Sequence, residues 1–118
     1  MVTPIFRIFD LQKALNFYIE WLGFRVDWED QSEKGFMYMQ VSRGDIVLHL
    51  TSHSGDSSPG SKAMAEISGL LAYHHQLTQK DHLFERPSLE KTCWSDKVMQ
   101  TEVTDPFGNR IVFVEACG

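Results

Sequence analysis

Hydrophobic positions along this chain change period several times, and each change marks an element. Ala14, Leu15, Phe17, Tyr18, Trp21 and Leu22 recur near helical spacing. Asp10 stands just before them, where its carboxylate can accept from the free amides of a first helical turn, and Gly23 follows, suited to a left-handed cap. The pattern predicts a helix from Leu11 that stops at Gly23. Around it, Val2 to Phe9, Phe24 to Glu29, Phe36 to Ser42 and Asp45 to Thr51 are rich in β-branched and aromatic residues and read as strands.

The second half follows the same order. Ala63 to Ser68 reads as a strand, and Leu70 to Lys80 as a helix with Leu70, Tyr73 and Leu77 on one face. Further strands follow and end in Val103 to Glu115, a strand, tight turn and strand. Asp105-Pro106 opens that turn because proline fixes φ, and Gly108-Asn109 are expected to supply the positive φ a tight reversal needs. Gly44 to Leu48 corresponds to Gly108 to Phe113 with one extra turn residue, which marks the halves as a duplication. The boundary falls in the polar, turn-rich stretch Ser52 to Ser61. The expected organisation is one domain, 1–118, with module one at 1–51, a linker at 52–61 and module two at 62–118.

Strand parity then sorts side chains between two faces. Phe6 and Ile8 should meet the helix, as should Met37, Met39 and Val41. Thr3, Ile5 and Arg7, Tyr38 and Gln40, and Val47, His49 and Thr51 should face the other way. So should Val98, Gln100 and Glu102, with Arg110, Val112 and Val114 after the turn. A slip of one residue would invert each list.

The motifs Phe17-Tyr18, Leu22-Gly23-Phe24 and Asp105-Pro106-Phe107-Gly108-Asn109-Arg110, in this order over nearly the whole chain, resemble the vicinal oxygen chelate superfamily. That group includes glyoxalase I, extradiol dioxygenases, fosfomycin-resistance enzymes and bleomycin-resistance binding proteins. The resemblance implies an α+β fold of two βαβββ modules, forming a curled mixed sheet with a concave cleft and helices on the outer face. It also implies four metal-ligand positions in the cleft, because the enzymes place a Lewis acid under two adjacent substrate oxygens. Here those positions hold Thr3, His49, Lys62 and Val112. One imidazole among a hydroxyl, an ammonium and an alkyl group cannot hold a divalent ion tightly, so no metal and no cofactor are expected.

His49 is accordingly read as a hydrogen-bonded cleft residue, although His53 lies four residues on and could pair with it. His74 and His75 are adjacent on a helix and point about 100° apart, which excludes an i,i+4 zinc pair; His82 has no evident partner. No nucleophile elbow or phosphate-cradling glycine loop is present, and Cys93 carries no local sign of activation. The cleft keeps a binder's inventory instead. Arg7, Tyr38, Gln40, His49, Trp94, Gln100 and Glu102 are the expected ligand-binding residues; Trp28 and Phe36 also belong to the cleft but are expected to be structural, since aromatics in strands usually pack. Glu90 to Ser95 resembles the Pro-Trp-Gly loop of bleomycin-resistance proteins, with Cys93 and Ser95 replacing the proline and glycine.

Composition narrows the partners. The chain has 118 residues, 42% hydrophobic and 23% charged, and a formal net charge of −5. That acidity argues against nucleic acid and fits a cationic small ligand. No apolar run approaches the ~20 residues of a membrane span, and the expected compartment is the cytoplasm. Cys93 and Cys117 lack metal-type spacing and read as reduced thiols. The resemblance therefore implies a metal-free, homodimeric binding protein for a cationic or aromatic drug or metabolite, a bleomycin-type antibiotic among them. Two alternatives stand beside it: a metal-dependent lyase, isomerase or thiol transferase using His49 and Glu115, which parity opposes by turning Glu115 toward the helices, and an interaction module with a vestigial cleft.

Overall fold

Asp10 starts the first helix as its sequence position implies. Its backbone is extended at φ −150° and ψ 121°, and its carboxylate accepts from the Lys13 amide at 3.0 Å. The computed structural model describes residues 1–31, 35–80 and 84–116. Strand β1 (Ile5–Arg7) precedes helix α1 (Leu11–Leu15), which widens into a π-helical segment, Asn16–Trp21. The Leu22 amide donates to the Phe17 carbonyl at 2.9 Å, and Gly23 takes φ 81°. The widening was not visible in the spacing, because Phe17, Tyr18, Trp21 and Leu22 all face the core in either winding.

Strands β2 (Arg25–Gln31), β3 (Met37–Arg43) and β4 (Ile46–Thr51) complete the first sheet, in the order β1-β4-β3-β2. β1 runs parallel to β4, and the other pairs are antiparallel. β1 is shorter than Val2 to Phe9 because Pro4 has no amide hydrogen to give a ladder; its carbonyl only accepts from His49, at 2.9 Å. Phe6, Ile8, Met39, Val41, Leu48 and Leu50 are buried on one face, and Ala14, Phe17, Tyr18, Trp21 and Leu22 supply the buried residues of the helix.

Strand β5 (Lys62–Glu66), helix α2 (Leu70–Gln79) and strands β6 (Glu90–Thr92), β7 (Ser95–Thr104) and β8 (Arg110–Ala116) repeat the plan. Their sheet has the order β5-β8-β7-β6, again with one parallel pair, β5 with β8. The strands thus pair as two open four-stranded mixed sheets, one in each half, in an α+β fold. Leu70, Tyr73 and Leu77 are the buried residues of α2, and the Tyr73 ring meets Phe113 edge-on at 5.2 Å. Glu115 turns to the helix side, where its carboxylate accepts from the Gly69 and Leu70 amides at 2.8 and 2.9 Å and caps α2.

The chain divides into two compact units, Met1–Ser61 with Asp105–Asn109, and Lys62–Thr104 with Arg110–Gly118. The β7–β8 turn therefore belongs to the first unit although both strands it joins belong to the second. Only Gly108 of the expected pair takes positive φ, 88°. Asn109 contributes through its side chain, which donates to the Arg7 carbonyl at 2.7 Å and to Asp105 at 2.9 Å. The Asp105 carboxylate also accepts from the Tyr18 hydroxyl at 2.7 Å and from the Phe107 and Asn109 amides at 2.9 and 2.8 Å. Burial raises the Asp105 pKa despite these donors, and burial with the nearby Asp105 charge pushes Tyr18 well above its usual value.

Candidate functional site

The exposed face of the first sheet is built by register. Directly opposed residues share a face, so Trp28, Gln40, His49 and Ile5 form one row, and Asp30, Tyr38, Thr51 and Arg7 the next. Regular alternation from Arg25 would send Trp28 to the helix side. A bulge between Val26 and Trp28 inserts one residue, which returns Trp28 to the open face and leaves Asp27 beside Ser42 and Gln40. Trp28 is consequently 44% exposed and stacks on Tyr38 at 6.0 Å with rings 8° apart, which corrects its expected role as a packed strand aromatic.

Tyr38, Gln40 and His49, three of the expected ligand-binding residues, are joined in one hydrogen-bond chain. The Tyr38 hydroxyl lies 2.7 Å from His49 Nδ1, and His49 Nε2 lies 3.0 Å from Gln40 Oε1. Gln40 Nε2 donates to Asp27 at 3.1 Å, which also accepts from Ser42 Oγ at 3.0 Å and Arg25 Nε at 3.2 Å. The Gln40 and Ser42 hydrogen bonds are the leading causes that lower the Asp27 pKa, keeping it ionised. An ionised carboxylate only accepts, so it sets the direction of the whole chain. Gln40 must turn its amide nitrogen to Asp27 and its oxygen to His49; neutral His49 then carries its proton on Nε2, and Tyr38 donates to Nδ1. Desolvation, then the Asp56 charge, raises the Tyr38 pKa, so the phenol keeps its proton.

Beside this chain lies a recess of about 320 Å³ lined by Asp30, Phe36, Met37, Tyr38, Thr51, His53 and Asp56. Phe36, expected to pack, is 40% exposed and meets the His53 ring edge-on at 4.6 Å. Thr51 Oγ1 donates to Asp56 at 2.7 Å, and the Gly55 amide donates to His53 Nδ1 at 3.1 Å. A Cβ on Gly55 would come within 2.8 Å of His53 Cε1, so glycine at that position lets the ring lie where it does. His53 and Asp56 come from the stretch whose composition reads as a linker. Asp27, Asp30, His53 and Asp56 were all missed by parity, since two depend on the edge strand's bulge and two on a loop.

Arg7 shares the face but is directed elsewhere: its guanidinium carbon sits 4.6 Å from the centre of the Phe9 ring, and its buried Nε has no hydrogen-bond partner. The remaining expected residues lie in the second unit. Gln100 donates to Glu90 at 3.2 Å, and Trp94 is 56% exposed in the β6–β7 turn. Glu102 is not a free anionic wall, because Lys62 Nζ stands 3.1 Å from its carboxylate. A smaller recess of about 100 Å³ there is lined by Glu85, Arg86, Ser88, Glu102 and Thr104.

The donor set does not suit the divalent metal of the superfamily's enzymes. Both ring nitrogens of His49 are engaged, Lys62 brings a positive charge, Val112 has no donor, and Glu115 is committed to α2. Among the described residues, no group of three or more His, Cys, Asp or Glu side chains is placed to hold a metal ion. His74 Nε2 lies 3.2 Å from the Pro87 carbonyl, and Cys93 is a free, exposed thiol. His82 and Cys117 lie outside the described residues. No helix among the described residues is long and apolar enough to cross a membrane.

Comparison with known proteins agrees with this architecture. Residues 1–118 match the family described as glyoxalase superfamily protein. A bleomycin-binding protein complexed with bleomycin superposes with a TM-score of 0.74 at 20% identity, covering 98% of this chain and 97% of the other. A glyoxalase family protein from Enterococcus faecalis gives 0.68 at 20% identity, covering 97% and 94%. A bleomycin-binding protein from Streptomyces verticillus complexed with copper(II)-bleomycin gives 0.65 at 24% identity, covering 99% and 94%. At these identities the structural likeness establishes the fold alone. No curated protein sequence matches the chain.

Proposed function

Because the chain belongs to the glyoxalase superfamily, we propose that it is one of the superfamily's binding proteins: a metal-free cytoplasmic homodimer that sequesters a cationic or aromatic small molecule. The observation that carries this reading is the open face of the first sheet. Exposed Trp28 and Phe36 and half-buried Tyr38 stand there beside the carboxylates of Asp30 and Asp56. Aromatic faces attract flat rings and cations, and ionised carboxylates favour positive charge over negative. The metal-dependent alternative finds no donor set among the described residues, since His49 is hydrogen-bonded through both nitrogens and Glu115 caps a helix. Trp94 and Gln100 remain proposed contacts in the second unit, with Glu102 acting only as part of its pair with Lys62.

Isothermal titration with bleomycin, metal-free and copper-loaded, tests the reading, with thermal shift as a second readout because a ligand specific to the folded state raises stability. Saturable binding that Trp28→Ala weakens supports it; no binding of bleomycin or of smaller planar cations removes it. Sedimentation at micromolar protein tests the dimer, which a 13.6 kDa species would refute.

A further inference from the structure

The recess beside Tyr38 is lined chiefly by hydrogen-bond acceptors. Asp30 and Asp56 contribute carboxylates, and Asp30 has no ion-pair partner among the described residues. Tyr38 adds a phenolic oxygen whose proton is spent on His49 Nδ1, so its lone pairs are what the recess receives. His53 Nδ1 accepts from the Gly55 amide and lies 3.6 Å from the Asp56 carboxylate, so a neutral His53 ring keeps its one donor on Nε2, and Phe36 supplies an exposed ring. We propose that this recess binds a primary alkylammonium group, with Tyr38 held as an acceptor by the chain through His49 and Gln40 to Asp27. The proposal rests on the reading of this face as a binding surface and specifies what the recess takes.

The match is one of number and sign. A primary ammonium has three donors and no acceptor, and the recess offers it the Tyr38 oxygen and two carboxylates, with an aromatic ring for the attached carbon. A neutral alcohol of the same shape would meet the same acceptors without the charge, and a carboxylate would be repelled. Asp27 and Gln40 act as positioning residues. With Asp27 replaced by asparagine, the end of the chain can donate as well as accept. Gln40 is then free to rotate, His49 can carry its proton on Nδ1, and Tyr38 can turn its own proton into the recess.

Protonating His49 would have the same effect, because both ring nitrogens then donate and Tyr38 must accept from one of them. Tyr38 and Gln40 from β3 and Trp28 from β2 meet the His49 ring; Asp27 and Arg25 on β2 act on it through Gln40. On β1, uncharged Ile5 lies opposite His49, with Arg7 directed to Phe9. Across the recess, Asp30, Asp56 and His53 complete the charged and titratable set.

The test is an NMR titration of the intact protein with benzylammonium, benzyl alcohol and benzoate, following the Phe36, Tyr38 and Asp56 amides. Benzylammonium should saturate with at least ten-fold tighter binding than benzyl alcohol, and benzoate should not bind. Asp30→Asn and Asp56→Asn should each weaken it several-fold. Asp27→Asn should weaken it about as much, without affecting benzyl alcohol, and should move the ring nitrogen shifts of His49 toward the other tautomer. Equal binding of the amine and the alcohol would overturn the proposal, as would indifference to Asp30 and Asp56. Unchanged His49 ring shifts in Asp27→Asn would overturn the positioning role. Bleomycin binding without benzylammonium binding would reject this inference and leave the binding function standing; failure of both would reject the two together.

Discussion

Gln40 and Gln100 occupy corresponding places in the two sheets, and their surroundings diverge on one side only. Each donates to a carboxylate on the outer strand, Asp27 for Gln40 and Glu90 for Gln100. On the inner strand Gln40 faces His49, whereas Gln100 faces Val114. The imidazole passes the hydrogen bond on to Tyr38, and the valine ends it. The outer strands diverge as well. The extra residue in β2 turns Trp28 onto the open face, while the register break at Lys91 and Thr92 leads into the Cys93-Trp94 turn. The two sheets thus share their strand order and the glutamine, and one imidazole with one bulged residue makes the first face an organised polar surface.

The largest way to break the comparison is at the turn that belongs to the first unit. Asp105→Ala removes the acceptor of four hydrogen bonds in a buried site and should cost about 3–5 kcal/mol of stability, measured by urea unfolding. Asp45→Ala, in the turn between β3 and β4, should be nearly silent. The pH dependence of Asp105 sharpens the point. Its pKa is raised in the folded state, so its contribution favours folding at low pH and is lost as pH rises through the raised value. Asp27 is lowered and runs the other way, its contribution being lost on acidification through the folded value. Unfolding of Asp105→Asn and Asp27→Asn across about pH 3–6 should change the slope in opposite directions; slopes that change in the same sense would contradict the assignment.

His49→Val makes the first face resemble the second. It strips Tyr38 of its acceptor at a half-exposed site and should cost about 1 kcal/mol or less, leaving the Gln40–Asp27 bond detectable by the Gln40 side-chain amide shifts. The smallest effect is expected at Lys62→Met. Its pair with Glu102 is partly exposed on both sides, 49% and 30%, and should be worth under about 0.5 kcal/mol. The difference from the parent protein should shrink further in added salt.

Much of the fold was legible in the chain because local chemistry and burial agree there. Asp10 and Gly23 bracket a helix, and Met39, Val41, Leu48 and Leu50 alternate with Tyr38, Gln40 and His49 as a half-buried sheet requires. The site was only half legible. Period-two counting cannot see a bulge, so Trp28 was read only as a packing aromatic and Asp30 was passed over. Polar composition cannot tell a spacer from a loop that lines a recess, which hid Asp56 and left His53 read only as a possible partner of His49. The pairing of Glu102 was hidden because Lys62 lies forty residues away in sequence and beside it only in the sheet.

The membership of the β7–β8 turn in the first unit bears on how the protein is made. Tyr18, Arg7 and Ser61 find hydrogen-bond partners in Asp105 and Asn109, which leave the ribosome long after them. At typical elongation rates the interval from Ser61 to Asn109 is on the order of 2–10 s. During it, the nascent first half holds a tyrosine hydroxyl and backbone groups that only water can satisfy. Its last contacts are thus non-local, and synthesis must pass Asn109 before the earliest segment can close.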